Sequence, residues 1–193
     1  MVIDMPENVL TIDEVKRLIS SITVLKDEIL IRLAIEAAIR REDLIAIEIS
    51  DITINEDNTA KIRYWENKKK RYWTVIVGGE TAKRLIQYIN LIKPETRQER
   101  WLFPSTYKGQ HITGRTAYNI LQFWLRVSGI RNKPTPFRIL RATSINLMKA
   151  KGYTIEEIMR VTGDTQRVIS RYFAQPTEEE LRKIATEKSI LDF

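Results

Sequence analysis

The 193-residue sequence has no cysteine, which excludes disulfide scaffolds, thiolate-bound zinc and thiol nucleophiles. Its single histidine, His111, leaves no material for a histidine-rich metal site. Long apolar runs are also missing. The most apolar stretch, residues 29–39, is short and is broken by Arg32 and Glu36, so no membrane span is expected. The first ten residues lack a basic region followed by an apolar run, so no secretory signal is expected. There is no internal repeat, low-complexity tract or long linker.

What is present fits one globular domain with at most a short appendage: 43% hydrophobic and 30% charged residues suffice for a real core. The net charge of +7 is unevenly divided. Residues 1–59 carry six basic and thirteen acidic side chains, and residues 176–193 carry three and five. Between them, residues 60–101 hold eleven basic and four acidic groups, and residues 102–175 hold twelve and three. The central block is therefore +16. Such a field attracts polyanions by steering and counterion release, but charge alone fits a solvated basic surface equally well.

Local patterns order the chain. Thr11 and Glu14 form a capping box that opens a helix to about Ser20. Helical spacing of Leu30, Leu33, Ala34, Ala37 and Ala38 predicts a helix over 24–39, and a short one follows over 42–48. Residues 52–54, 60–64 and 72–77 are β-branched and aromatic, with turn-forming residues 55–58 and 67–70 between them, which predicts a three-stranded antiparallel meander. Strand alternation turns half of Tyr64, Trp65, Tyr72 and Trp73 inward. Helices are expected over 80–92, with Leu85, Ile86, Ile89 and Leu91 inward, and over 114–128, with Tyr118, Leu121, Phe123, Trp124 and Leu125 as core. Pro136 opens another helix to about Lys151, Thr154 and Glu157 cap the next, and Thr177 caps a last one. The expected class is α+β, mostly α, with a small sheet inserted after the first helices.

Three basic features fall in order: Arg40 at a helix junction, the lysine-rich turn, and Arg138 with Arg141 one turn apart on one helix. Tyr172 follows beyond a break at Thr162, Gly163 and Asp164. In these features the sequence resembles the tyrosine recombinases (phage-integrase family), which share their catalytic core with type IB topoisomerases. Residues 38–52 resemble the first arginine box, with Arg40 on the catalytic arginine and Asp43 on the acidic residue three places later. Residues 75–86 resemble the segment leaving the catalytic-lysine hairpin. Lys68 takes the lysine position, with Lys69 and Lys70 as register alternatives. Leu102, Phe103 and Pro104 match the motif between the boxes, residues 138–152 resemble the second box with Arg141 as the second arginine, and Tyr172 falls on the nucleophile.

The resemblance implies a catalytic domain over residues 1–175, a tail helix over 176–193, and no amino-terminal core-binding domain. It implies double-stranded DNA as partner, a cytoplasmic location, and neither metal nor nucleotide cofactor. Tyr172 would attack a phosphodiester to give a 3′-phosphotyrosyl enzyme, Arg40 and Arg141 would stabilise the transition state, and Lys68 would protonate the departing 5′-oxygen. Lys69, Lys70, Arg71 and Arg171 would contact DNA. Asp43 would orient the arginine, unless it is merely an exposed helix charge. His111 reads as a surface residue or DNA contact, and Tyr118 and Tyr153 as poorer nucleophiles. The tail helix packs on its own domain or links protomers. A DNA-binding module that no longer cleaves and a topoisomerase-like relaxer are the alternative functions.

Two positions depart from the family. Arg138 stands where most members have histidine, and Asp164 where they have histidine or tryptophan. Arginine holds phosphate but accepts no proton near neutral pH, and an unpaired carboxylate would repel the phosphate. The expected resolution is a charge-compensated pair between Arg138 and Asp164. The spacing from Asp164 to Tyr172 is also about one residue short of the family pattern.

Overall fold

A computed structural model describes residues 9–92, 99–131, 133, 136–172, 178 and 182, without the side chains of Pro136 and Tyr172. The helices are α1 (Ile12–Ser21), α2 (Leu25–Glu36), α3 (Arg41–Ile45), α4 (Gly79–Ile92), α5 (Gly114–Val127), α6 (Pro136–Ala150), α7 (Ile155–Thr162) and α8 (Gln166–Ile169). The sheet of β1 (Ile52–Ile54), β2 (Ala60–Glu66) and β3 (Arg71–Val77) is an antiparallel meander in that order. Both capping boxes form, at Thr11 with Glu14 and at Thr154 with Glu157. They anchor the starts of α1 and α7 by satisfying amide donors that have no partner within the helix.

Helix α2 is the centre of the core, buried through Ile29, Leu30, Ile31, Leu33 and Ala34, and it packs against α4, α5 and α6. It ends at Glu36 rather than at 39 because Ala38 turns into the left-handed region at φ 51°, and this bend leads the chain out to Arg40. Strand β2 alternates strictly, with Ala60, Ile62, Tyr64 and Glu66 facing the helices. Tyr64 and Trp73 turn inward while Trp65 and Tyr72 turn outward, so half of the four aromatics are inward as alternation requires. The loop before α5 buries Leu102 and Phe103, and the Tyr88 hydroxyl donates to the Leu102 carbonyl at 2.9 Å.

Two residues expected in the core are at the surface, and two more, Ile86 and Tyr118, are only half-buried. Leu91 and Phe123 are exposed; Tyr88 and Ala117 fill the inward positions of α4 and α5 instead. Both misplaced residues stand next to true core positions in sequence, but the helical turn carries them to the solvent side. A second, smaller cluster of Ile145, Met148, Ile158 and Ile169 joins α6, α7 and α8 apart from the main core. The expected tail helix lies outside the described residues except for Glu178 and Arg182, which form an ion pair at 2.6 Å. Among the described residues no helix is long and apolar enough to cross a membrane.

Phe103 is fully buried and stacks on Tyr88 with ring centroids 6.3 Å apart. Phe103→Ala is expected to lower unfolding free energy by about 3–5 kcal/mol, read from urea denaturation; a loss below about 1 kcal/mol would contradict this packing.

Candidate active site

Arg40 stands at the N-cap position of α3 in an extended conformation, just past the bend at Ala38. Its guanidinium donates through one nitrogen to Glu66 Oε1 at 2.5 Å and through the other to Asp164 Oδ1 at 2.8 Å. Residues from before, within and after the sheet thus meet at one point.

The hairpin supplies the second part. Glu66 is the last residue of β2 and, by strand alternation, faces inward with 0% exposure. It also pairs with Lys69 at 3.3 Å and accepts from Arg71 Nε at 3.0 Å. Lys69 lies within the turn and folds back over the strand end, so its ammonium reaches Asp164 Oδ1 at 3.1 Å and the Gly163 carbonyl. Asp43 is buried and accepts the backbone N–H of Asn67 at 3.1 Å. It therefore braces the lysine turn and makes no direct bond to Arg40 among the described residues. Burial raises its pKa; the Asn67 hydrogen bond and the nearby Arg40 charge only partly oppose this.

The third part is the carboxyl end of α7. Helix ends leave carbonyls without intrahelical donors, and here the site's own side chains supply them. Val161 O accepts from Trp73 Nε1 at 3.2 Å, Thr162 O from Arg141 at 3.2 Å, and Gly163 O from Arg71 at 2.9 Å as well as from Lys69. Gly163 caps the helix at φ 68°, and a Cβ there would lie 2.9 Å from an Arg71 nitrogen and 3.0 Å from Trp73. Only glycine permits both the turn and the close approach of the hairpin.

Arg141, buried in α6, donates to Asp164 Oδ2 at 2.5 Å and to the Ala38 carbonyl, while its Nε has no partner among the described residues. Asp164 is therefore clasped by Arg40, Lys69 and Arg141. Burial alone would raise its pKa, but Arg141 first, then Arg40 and Lys69, outweigh burial and bring it down to about 2. Glu66 is likewise held below its ordinary value: burial raises it, but hydrogen bonds from Arg71 and Arg40 and the Lys69 charge prevail. Arg40, Lys69, Arg71 and Arg141 against Glu66 and Asp164 leave the cluster with a surplus of positive charge.

One expected pairing is corrected, and the other expected residues are placed around it. Arg138 does not pair with Asp164: it is exposed and forms no ion pair among the described residues, and Asp164's oxygens are taken by the three other cations. Arg138 lies in the first turn of α6, ahead of residues 139–146, which are all buried, so it stays in solvent while Arg141, one turn further on, is inside. The turn brings in Lys69, not Lys68; Lys68 and Lys70 are exposed, Lys70 at φ 52°. Arg71 is half-buried, lies 4.2 Å over the Trp73 ring and binds Glu66. Arg171 is exposed, and the backbone of Tyr172 closes a single 3-10 turn, Ser170–Tyr172, packed against α6. His111 is half-buried, set edge-on to Trp101 at 4.9 Å. Glu66 was not among the expected site residues. The parity of β2, which places it in line with Ala60, Ile62 and Tyr64, is the signal that identifies it.

Depressed carboxylate pKa values stabilise the folded state above the unfolded values and lose that contribution as pH falls. For Asp164, with an ordinary value of 3.8 and a folded value of about 2, the contribution is on the order of 2 kcal/mol. Stability is expected to be full above about pH 5 and to fall towards about pH 2, with Asp164→Asn flattening much of that slope. Urea unfolding across this range reads it, and an unchanged slope in the variant would contradict the clasp.

A model of the phage integrase family matches residues 8–179. No curated protein matches the chain by sequence. Among solved structures, the XerH site-specific recombinase bound to difH substrate in a pre-cleavage complex superposes with a TM-score of 0.77 at 16% identity, over 97% of this chain and 56% of that one. The XerA recombinase gives 0.77 at 23% identity, over 96% and 66%. A lambda integrase dimer bound to a COC′ core site gives 0.66 at 16% identity, over 89% and 63%. The chain thus spans between about half and two-thirds of the length of these relatives. Its mostly helical fold with a three-stranded antiparallel sheet is the tyrosine recombinase catalytic fold. The chain belongs to the phage integrase family.

Proposed function

We propose that this chain cleaves and rejoins DNA strands, with Tyr172 as nucleophile, Arg40 and Arg141 as phosphate-stabilising groups and Lys69 as general acid. The observation that carries the reading is the convergence of two arginines and a lysine, from three separate segments, on one carboxylate at the end of α7. A carboxylate and a phosphodiester present similar oxygen acceptors to forked guanidinium donors, so a cradle built for one accepts the other. The Tyr172 hydroxyl gives up its proton to water as its oxygen attacks phosphorus, the bond to the 5′-oxygen breaks, and Lys69 delivers a proton to that leaving oxygen. Negative charge growing on the nonbridging oxygens is met by guanidiniums already held in place by Glu66 and by the Ala38 and Thr162 carbonyls. A 5′-hydroxyl attacking the phosphotyrosine reverses the sequence and restores a phosphodiester. The partner in this reading is double-stranded DNA, and the basic central block supplies its long-range attraction.

Asp164 also favours a second reading. Because its carboxylate occupies both arginines, a module of the same fold that binds DNA without cutting it fits the geometry.

A duplex nicked just beyond the scissile phosphate separates the two, because loss of the short released strand traps the covalent complex. An adduct in the wild type that is absent in Tyr172→Phe is expected; retained DNA binding with no wild-type adduct would establish the second reading.

Among the turn lysines, Lys69→Ala is expected to slow adduct formation by about 100-fold or more, and Lys68→Ala by less than about threefold. A 5′-thiolate leaving group, which needs no protonation, should rescue Lys69→Ala selectively. Equal effects of the two substitutions would remove Lys69 from the acid role.

A further inference from the structure

The sheet has a second face that the cleavage chemistry does not use. Its outward positions on β2 and β3 are Lys61, Arg63, Trp65, Tyr72, Thr74 and Ile76, with no carboxylate among them. Trp65 is 41% exposed, Tyr72 53% and Ile76 63%, an unusual outlay of large apolar surface on so small a sheet. Trp65 and Tyr72 are cross-strand partners set edge to face with centroids 5.1 Å apart. The Arg63 guanidinium lies 3.8 Å over the Tyr72 ring. The result is a terrace of flat, open π surfaces flanked by cations.

We infer that this outward face binds unpaired nucleotides of the strand released by cleavage, stacking their bases on Trp65 and on the Arg63–Tyr72 pair. The inference rests on the cleavage reading above and extends it. Bases within a duplex offer only their edges, because their faces are covered by their neighbours; open rings and guanidinium planes match bases that have lost their stacking partners. Lys61 and Arg63 supply the charge complementary to a sugar-phosphate backbone. Position argues the same way. Trp65 and Tyr72 directly adjoin Glu66 and Arg71, whose side chains turn through the sheet into the arginine cluster. One residue along a strand, about 3.4 Å, separates the group that holds Arg40 from the group offered for stacking. Cleavage leaves a free 5′-hydroxyl end with no covalent tether to the protein, and that end has to leave its partner before it can be joined elsewhere. A stacking terrace on the same hairpin gives its bases a place to go.

The test compares the whole chain and its Trp65→Ala/Tyr72→Ala variant by fluorescence anisotropy on two labelled DNAs of the same sequence. One is a fully paired nicked duplex, and the other carries a few unpaired nucleotides on the 5′-hydroxyl side of the nick. Wild type is expected to bind the unpaired form about tenfold more tightly, and the double variant to lose that preference. Far-UV circular dichroism of the variant reports its fold, and Trp65→Phe, which keeps a ring, should retain most of the preference. Equal binding of the two DNAs by wild type, or a preference that survives the double substitution, would overturn the inference and leave the cleavage reading intact. A double variant that loses self-association in gel filtration while keeping its DNA preference would also overturn it, making the face a contact between copies. Failure to bind either DNA would remove the cleavage reading as well.

Discussion

A single carboxylate, that of Asp164, sets the arrangement of the cation cluster. Arg40, Lys69 and Arg141 come from the α2–α3 junction, the β2–β3 turn and α6, and three like charges would repel one another without an anion between them. Arg141 in particular is buried, and an unpaired buried guanidinium would be strongly destabilising. Glu66 repeats the device one layer away with Arg40, Lys69 and Arg71. The two carboxylates share Arg40 and Lys69, so the hairpin, the helical body and the α7 exit are fastened to each other by one network. The carbonyls at the end of α7 complete it by accepting from Trp73, Arg71, Lys69 and Arg141.

This network explains how a strongly basic middle section is distributed. Part of its charge is paired: Lys69, Arg71 and Arg141 are engaged with carboxylates and helix-end carbonyls. Another part remains in solvent at Lys68, Lys70, Arg138 and Arg171. The first kind defines a point, and the second defines a field around it. Arg40, which comes from the acidic first segment, belongs with the first kind.

Much of the fold was legible because local signals were strong. The capping boxes at Thr11 and Thr154, the alternation of β2 and β3, and the proline opening α6 all specify elements through nearest-neighbour physics. The order and spacing of the motifs also singled out Arg40 and Arg141, which the fold brings to one carboxylate. The pairing within the site was not legible, because it depends on contacts across more than a hundred residues, as between Arg40 and Asp164. Charge complementarity suggested Arg138 for Asp164, but Arg138 precedes the buried stretch of α6 and Arg141 lies within it. Glu66 was hidden by its neighbours: an acid beside three lysines reads as solvated until strand parity is given precedence. The turn's register could not be chosen among Lys68, Lys69 and Lys70 without knowing that Asp43 grips Asn67.

The small cluster of Ile145, Met148, Ile158 and Ile169 separates two energy scales within this domain. Arg40 and Glu66 sit on elements rooted in the main core, whereas the segment leading to Tyr172 is tied down through Ile169 in the lesser one. Opening of that satellite exposes few apolar side chains, so it can occur far more often than global unfolding. Exchange of its amides with solvent would then run on a faster clock than exchange in α2 or β2. The α7 exit that carries Asp164 belongs to the same satellite through Ile158, so the carboxylate at the centre of the cation cluster and the backbone of Tyr172 share one local stability, lower than that of the body that holds Arg40 and Glu66.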